Sequence, residues 1–149
     1  MVNYKVINKI DTIPNHIRYE KDLYHVIDII SKCSKDDYDI STAVYDCINS
    51  GTDYYLIYTD DFLQPIGVVG VSKSKFDWSV FEIHDCYILE KYRRNGLFTE
   101  MFGIIEKEIK EKYNAVTCIL SSDNPLFKKL GFELIATTNI NRSILIKHL

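Results

Sequence analysis

A short basic turn lies between a stretch of strand composition and a stretch of helix composition. The turn is Arg93-Arg94-Asn95-Gly96-Leu97-Phe98. The first N–H groups of a helix have no intrahelical acceptors, and the helix dipole places partial positive charge at the same end. Gly96 has no Cβ, so a phosphate can approach the backbone closely, and the two arginines add formal charge. These features predict a binding site for a pyrophosphate group.

Composition narrows the class of protein. A chain of 149 residues suits one domain, 1–149, and 46% hydrophobic and 26% charged residues are typical of a soluble globular protein. A net charge of -3 argues against nucleic acid as a partner. No apolar run approaches the roughly 20 residues that span a bilayer, and we expect a cytoplasmic protein with no membrane partner. The four cysteines form no Cys-x-x-Cys pair, so no metal site is expected.

The hydrophobic pattern predicts the elements that position the turn. A strand at Tyr4–Ile7 precedes two helices. The first begins after Asn15 and ends near Ser31, and the second begins near Ser34 and ends near Ser50. A meander of antiparallel strands follows, at Asp53–Thr59, Ile66–Lys73 and Trp78–Leu89. After the turn we expect an amphipathic helix at Gly96–Lys112, a strand at Ala115–Leu120, a short helix at Asp123–Leu130, and strands near Phe132–Ala136 and Asn141–Lys147. The strands on either side of the amphipathic helix are predicted to be parallel, because a helix connects them.

Two segments resemble the motifs of one family. Tyr87–Phe98 (YILEKYRRNGLF) resembles the acetyl-CoA-binding motif of the GNAT superfamily of N-acetyltransferases, usually written [RQ]-x-x-G-x-[GA]. Asn124–Phe132 (NPLFKKLGF) resembles its downstream motif, which usually ends in Y-x-K-L-G-F. Their order and separation also match. The resemblance implies an α/β (α+β) GNAT acyl-CoA N-acyltransferase fold, in which about four helices flank a mixed, mostly antiparallel sheet of six to seven strands.

The resemblance also implies how acetyl-CoA, the cosubstrate, would be held. Backbone N–H groups of the turn would bind the pyrophosphate. Backbone groups of the strand before it would pair with the pantetheine arm, and one freed N–H would stabilise the oxyanion. The implied cofactor-binding residues are Cys86, Tyr87, Ile88, Arg93, Arg94, Asn95, Gly96, Leu97, Phe98, Thr99, Asn124 and Phe127.

Two phenylalanines depart from the family pattern. Phe98 stands where the family prefers glycine or alanine, and we interpret it as a core residue. Phe127 stands where the family often has the tyrosine that protonates the CoA thiolate, which phenylalanine cannot do. A thiol with a pKa of about 8.5 is a tolerable leaving group near neutral pH, and general acid catalysis contributes about 10²–10⁴-fold. Water or another hydroxyl group could take over this step.

The candidate general bases lie on the strand before the turn. An amine with a pKa of about 10.4 must lose a proton before it attacks a thioester. Glu82 is the first candidate, at the spacing of the base in the histone acetyltransferase branch, and Asp85 is the second, because a carboxylate there matches the sugar-amine branch. Alternation places Glu82, His84 and Cys86 on one face and Asp85 on the other, unless a bulge changes the parity. The competing interpretations are an ordinary exposed carboxylate for Glu82 and a packed or surface imidazole for His84.

Two functional hypotheses follow. In the first, the protein transfers the acetyl group of acetyl-CoA to a primary amine, on a small molecule or a protein lysine, by direct attack on the thioester. In the second, it is a CoA-binding regulatory or interaction module with little catalytic power. Glu82 favours the first hypothesis and Phe127 the second. A homodimer is a further expectation, because dimers are common in the family that the two segments resemble.

Overall fold

The computed structural model describes residues 3–8, 16–34, 41, 52–61, 64–74 and 77–149. These residues contain seven strands, three α-helices and a 3₁₀ turn at Glu90–Tyr92. In chain order they are β1 (Asn3–Asn8), α1 (His16–Cys33), β2 (Asp53–Tyr58), β3 (Pro65–Lys73), β4 (Val80–Ile88), α2 (Leu97–Tyr113), β5 (Thr117–Ser121), α3 (Leu126–Lys129), β6 (Glu133–Thr137) and β7 (Ser143–His148). The second predicted helix falls almost wholly outside the described residues. No helix in the described part of the chain is long and apolar enough to cross a membrane.

Several elements start later than their patterns predicted, and β4 and α3 show the physical reason. β4 begins at Val80 rather than Trp78, because the Asp77 carboxylate accepts hydrogen bonds from the N–H and the hydroxyl of Ser79, at 2.8 and 2.7 Å, and holds a turn there. α3 begins at Leu126 rather than Asp123. Side chains that bond to the nearby backbone compete with regular structure in this way, and hydrophobic periodicity does not register them.

The first of two compact units consists of Met1–Ser72 and Asp85–Arg93. Its strands follow the order β1-β2-β3-β4, with antiparallel β1–β2 and β2–β3 pairs. One core cluster joins α1 to one face of β2 and β3, through Val26, Ile29, Ile30, Tyr54, Leu56, Tyr58 and Val68. β3 packs closely against β4 at Gly67, because a Cβ there would lie 3.1 Å from the carbonyl oxygen of Tyr87. The backbones of β3 and β4 therefore lie close together at this point.

The second unit consists of Lys73–His84 and Arg94–Leu149. Its strand order is β4-β5-β7-β6, with a parallel β4–β5 pair, as predicted, and antiparallel β5–β7 and β6–β7 pairs. The buried face of α2 consists of Leu97, Met101, Phe102, Ile105 and Ile109. The rings of Phe102, Phe127 and Phe132 pack edge to face, with centroids 5.7 to 6.2 Å apart. The predicted mixed, mostly antiparallel sheet is thus confirmed.

Candidate functional site

The start of α2 presents backbone N–H groups at an open glycine. Gly96 caps the helix in the left-handed conformation, with φ 73° and ψ 13°, and no side chain bonds to this end of the helix. The N–H of Glu100 donates to the carbonyl of Gly96 at 3.1 Å. The N–H groups of Leu97, Phe98 and Thr99 therefore precede the first turn of intrahelical bonds. A Cβ at Gly96 would meet no atom within 4 Å, so the space above the turn is open.

The turn itself is exposed and contains a second left-handed residue. Arg94 has a φ of 67°, and Arg94, Asn95, Gly96 and Thr99 are all exposed. Left-handed residues in a turn bring successive N–H groups to one side, as in the concave nests that bind anions. The structure thus places five of the predicted pyrophosphate contacts, from Arg94 to Phe98, on one exposed turn at a helix N-terminus, followed by Thr99.

Arg93 makes a different contact from its neighbour. Its Nε donates to the carbonyl oxygen of Ile88 at 2.7 Å, which ties the 3₁₀ turn to the end of β4. Burial raises the pKa of the Cys33 thiol, and the adjacent Arg93 guanidinium partly offsets this. One N–H of the exposed Arg93 guanidinium is therefore engaged within the first unit. The two arginines look alike in the sequence, and only the fold shows that Arg93 reaches back to its own strand.

The ladder between β4 and β5 is short. It joins Val80 to Thr117, Phe81 to Cys118 and Glu82 to Ile119, and it ends there. β5 continues for two more residues, which pair with β7 on its other side. The parallel ladder therefore covers only the first part of β4.

Asp85 interrupts β4. Its φ of 54° is left-handed, although the residue lies inside a strand. Extended geometry at each residue is what makes side chains alternate between faces, so the strict alternation predicted from Glu82 to Cys86 is wrong at this residue. The alternative of a changed parity is the one that the structure favours. Asparagine and aspartate tolerate this conformation better than other residues with a Cβ.

The Asp85 carboxylate is held by a tyrosine from β2. The hydroxyl of Tyr54 donates to Asp85 Oδ2 at 3.2 Å, and the Tyr54 side chain is only 1% exposed. The sequence gives no sign of this contact. Tyr54 belongs to an aromatic strand segment with no motif of its own, and nothing local links it to a carboxylate 31 residues later.

The other candidates on β4 have different surroundings. Glu82 is exposed, whereas His84 and Cys86 are half-buried. Burial, and then the negative charge of Asp85, raise the pKa of the Cys86 thiol, so Cys86 is not a thiolate at neutral pH. The thiolate is the nucleophilic form of cysteine, so Cys86 is poorly suited to act as a covalent acyl carrier. In the described part of the chain, no group of three or more histidine, cysteine, aspartate and glutamate side chains could hold a metal ion.

The downstream motif forms a turn and the short helix α3. The Asn124 Oδ1 accepts the N–H of Leu126 at 3.0 Å, and the N–H of Asn124 donates to the Ser122 hydroxyl at 3.1 Å. Asn124 is exposed and lines a shallow cleft of about 140 Å³ together with Lys128. The side-chain oxygen of Asn124 therefore orients the start of α3, and the amide nitrogen takes no part in this hydrogen bond.

Both unusual phenylalanines pack in the second unit. Phe127 is only 5% exposed and contacts Phe102 and Phe132 edge to face. Phe98 is half-buried, with its ring 6.1 Å from that of Phe102, which agrees with the core interpretation. The aromatic ring of Phe127 is thus part of the hydrophobic core. Position 127 supplies packing to the site and no proton.

Comparisons with known proteins agree with this geometry. A family model described as an acetyltransferase (GNAT) domain matches residues 32–146. The structure of Tetrahymena GCN5 has a TM-score of 0.78 at 15% identity, covering 98% of this chain and 95% of that one. YhbS from Escherichia coli, a GNAT family N-acetyltransferase in complex with CoA, has a TM-score of 0.76 at 18% identity, covering 99% and 81%. PaiA N-acetyltransferase from Thermoplasma acidophilum, in complex with coenzyme A, has a TM-score of 0.73 at 14% identity, covering 100% and 99%.

No curated protein matched the sequence. At identities this low, the solved structures establish the shared fold and leave the substrate open. The family model spans well over half of the chain, and its range includes β4, the turn, α2 and α3. The chain therefore belongs to the GNAT family of acetyltransferases.

Proposed function

We propose that this protein transfers the acetyl group of acetyl-CoA to a primary amine by direct attack of the amine on the thioester. The observation that carries the proposal is the open turn at the start of α2. Gly96 is left-handed with free space above it, and the N–H groups of Leu97, Phe98 and Thr99 have no intrahelical acceptors. The CoA-bound structures of YhbS and PaiA support the choice of donor, since both proteins share this fold.

In this proposal, different parts of the chain bind different parts of the donor. The pyrophosphate accepts hydrogen bonds from the N–H groups of Arg94–Thr99. The pantetheine arm lies along the backbone of Cys86, Tyr87 and Ile88, and Asn124 contributes its amide nitrogen. The binding of the phosphates relies on backbone groups and the helix dipole, with the exposed Arg94 adding charge.

The chemistry requires a proton acceptor. A carboxylate takes one proton from the acceptor ammonium group, the amine nitrogen bonds to the thioester carbon, and the carbon–sulfur bond breaks. The nitrogen loses its second proton to water as the amide forms, and the CoA thiolate takes a proton from water, since Phe127 has no proton to donate. Glu82 and Asp85 are the candidates for the base. The hydrogen bond from the buried Tyr54 hydroxyl supports Asp85, whereas the exposure of Glu82 fits an ordinary surface carboxylate.

A two-part experiment tests the proposal. Acetyl-CoA at 100 times its Kd should stabilise the protein by about 2.7 kcal/mol, which a thermal shift would detect. Free CoA thiol should then appear only when an amine is added, from a panel containing a diamine, an amino sugar and a lysine peptide. Acetyl-CoA alone and the same compounds with acetylated amines are the controls. Stabilisation without thiol release from any amine would contradict the proposed reaction.

The same experiment addresses the second candidate function, a CoA-binding module with little catalytic power. One observation favours it: Phe127 is buried in an aromatic cluster, where the family often has a catalytic tyrosine. Such a module would be stabilised by acetyl-CoA, and its thiol release would not depend on the amine. The absence of both stabilisation and release would contradict both functions.

A further inference from the structure

Tyr54 connects the core of the first unit to β4. Its ring belongs to the cluster that joins α1 to β2, where it packs with Val26, Ile29 and Leu56. Because Tyr54 is 1% exposed, packing restricts its side chain to one orientation. The hydroxyl at the end of this ring donates to Asp85 Oδ2. A rigid donor thus acts on a half-buried carboxylate.

Asp85 is held in a backbone conformation that a strand does not need. Its φ of 54° costs free energy for a residue with a Cβ, and such conformations persist where the surrounding structure determines them. They occur frequently at active sites, although a strained residue alone does not make one. At Asp85 the side chain is held as well, by the hydrogen bond from Tyr54, and its carboxylate is the group that could accept a proton.

The position of Asp85 relative to the proposed donor is also informative. Asp85 directly precedes Cys86, the first of the three residues assigned to the pantetheine arm. Its charge is close enough to disfavour ionisation of the Cys86 thiol. A base for this reaction has to lie within hydrogen-bonding reach of the amine that attacks the thioester.

We infer that Tyr54 is a positioning residue, whose hydroxyl orients the Asp85 carboxylate to accept the proton of the acceptor amine. The inference rests on the proposed function. Tyr54 donates to Oδ2, and Oδ1 takes the proton from the ammonium group as the amine nitrogen attacks the thioester. The proton of Tyr54 stays on its own oxygen, so the residue is not the acid that position 127 lacks.

The same strand contains a matched control. The hydroxyl of Tyr58 donates to Asp22 Oδ1 at 3.1 Å, and both residues are buried. Burial, followed by the charge and hydrogen bond of Asp22, raises the pKa of Tyr58, so its hydroxyl remains a donor at neutral pH. Tyr58 also belongs to the cluster that contains Tyr54. Tyr58→Phe therefore removes a tyrosine–carboxylate hydrogen bond from the same core without touching Asp85.

The experiment compares Tyr54→Phe with Tyr58→Phe, using acetyl-CoA and the amine of the panel that the wild type acetylates fastest. We expect Tyr54→Phe to lower kcat about 10- to 100-fold, the size expected when a reacting group is misplaced. The KM for acetyl-CoA should stay unchanged, because the phosphate-binding turn is intact. Tyr58→Phe should lower the melting temperature and leave kcat unchanged. Equal kcat values for Tyr54→Phe and the wild type would overturn the inference.

A double-mutant cycle with Asp85→Asn identifies the route of the effect. If Tyr54 acts through Asp85, adding Tyr54→Phe to Asp85→Asn should cause no further loss of kcat. An equal loss in both backgrounds would show an independent role and overturn the inference. If the wild type releases thiol with an amine and Tyr54→Phe is equally active, the role of Tyr54 is refuted and the proposed function stands. A wild type that releases none with any amine would refute the proposed function and the inference together.

Discussion

The turn at the start of α2 and the interrupted end of β4 differ in the groups that they present. The groups of the turn belong to neighbouring residues, whereas the carboxylate on β4 is held by a distant one. The turn relies on backbone N–H groups, a left-handed Gly96 and the dipole of a 17-residue helix. β4 relies on a side chain, the Asp85 carboxylate, which a tyrosine from another strand contacts. A backbone site follows from local sequence, since a glycine and a helix start suffice. A side-chain site depends on which distant residues the fold brings close, so its geometry is a tertiary property.

The largest expected effect separates the two carboxylates of β4. Asp85→Asn should lower kcat/KM at pH 7 by about 10²–10⁴-fold, the usual contribution of a general base. Asparagine tolerates the left-handed conformation, so the substitution removes the charge and preserves the backbone. Glu82→Gln, the matched variant, should have little effect because Glu82 is exposed. Initial rates of thiol release measure both.

The pH dependence provides a check on that assignment. Near the pKa of the amine itself, about 10.4, free amine is abundant and no base is needed. The deficit of Asp85→Asn should therefore shrink as the pH rises towards 10. A large, pH-dependent loss in Glu82→Gln with an active Asp85→Asn would instead assign the base to Glu82. It would also mean that the tyrosine contact to Asp85 is structural.

The next effect concerns the turn. Gly96→Val should weaken acetyl-CoA binding at least about tenfold, because a left-handed residue with a Cβ costs about 1–2 kcal/mol and a relaxed turn redirects its N–H groups. Gly103→Ala is the control, since Gly103 is exposed within α2 and a Cβ there would meet no atom within 4 Å. It should stabilise the helix by up to about 1 kcal/mol. Calorimetric titration with acetyl-CoA measures the affinities, and an unchanged affinity in Gly96→Val would remove the turn from the binding site.

The smallest effect concerns Phe127. Phe127→Tyr restores the residue that the family often has, but the added hydroxyl would enter an aromatic cluster. A buried hydroxyl without a partner costs about 1–3 kcal/mol, so the free energy of unfolding should fall while kcat does not rise. Phe98→Tyr is the stability control, because Phe98 is half-buried and a hydroxyl there can reach water. Urea denaturation and thiol release provide the two readings, and an increased kcat would show that position 127 can supply the acid.

Much of the fold was predictable from local patterns. The strands β1, β2 and β3 and the helices α1 and α2 lie where alternation and helical spacing predicted them, with ends moved by a few residues. The parallel pairing of β4 and β5 followed from the connecting helix. The ends were less predictable, as β4 shows, because a side-chain bond such as that of Asp77 to Ser79 decides where a strand starts.

The site was predictable only in part. The glycine turn followed from its own residues, and so did the packed character of Phe98. The separate contact of Arg93 was not predictable, because the carbonyl that it binds lies five residues back, on β4. The environment of Asp85 was the least predictable feature. A left-handed residue inside a strand contradicts the local preference for extended backbone, and only neighbouring elements can maintain it.

The sequence by itself determined the family, the order of the elements and the glycine turn at the start of α2, because these depend on contacts between residues close in the chain. Only the tertiary structure decided how the two carboxylates differ. Glu82 and Asp85 have the same chemistry and lie three residues apart, yet one is exposed and the other accepts a hydrogen bond from a buried tyrosine. The physical reason is that Tyr54 reaches Asp85 only after β2 and the second half of β4 enter the same unit, which fixes the side-chain environment that the chain order leaves open.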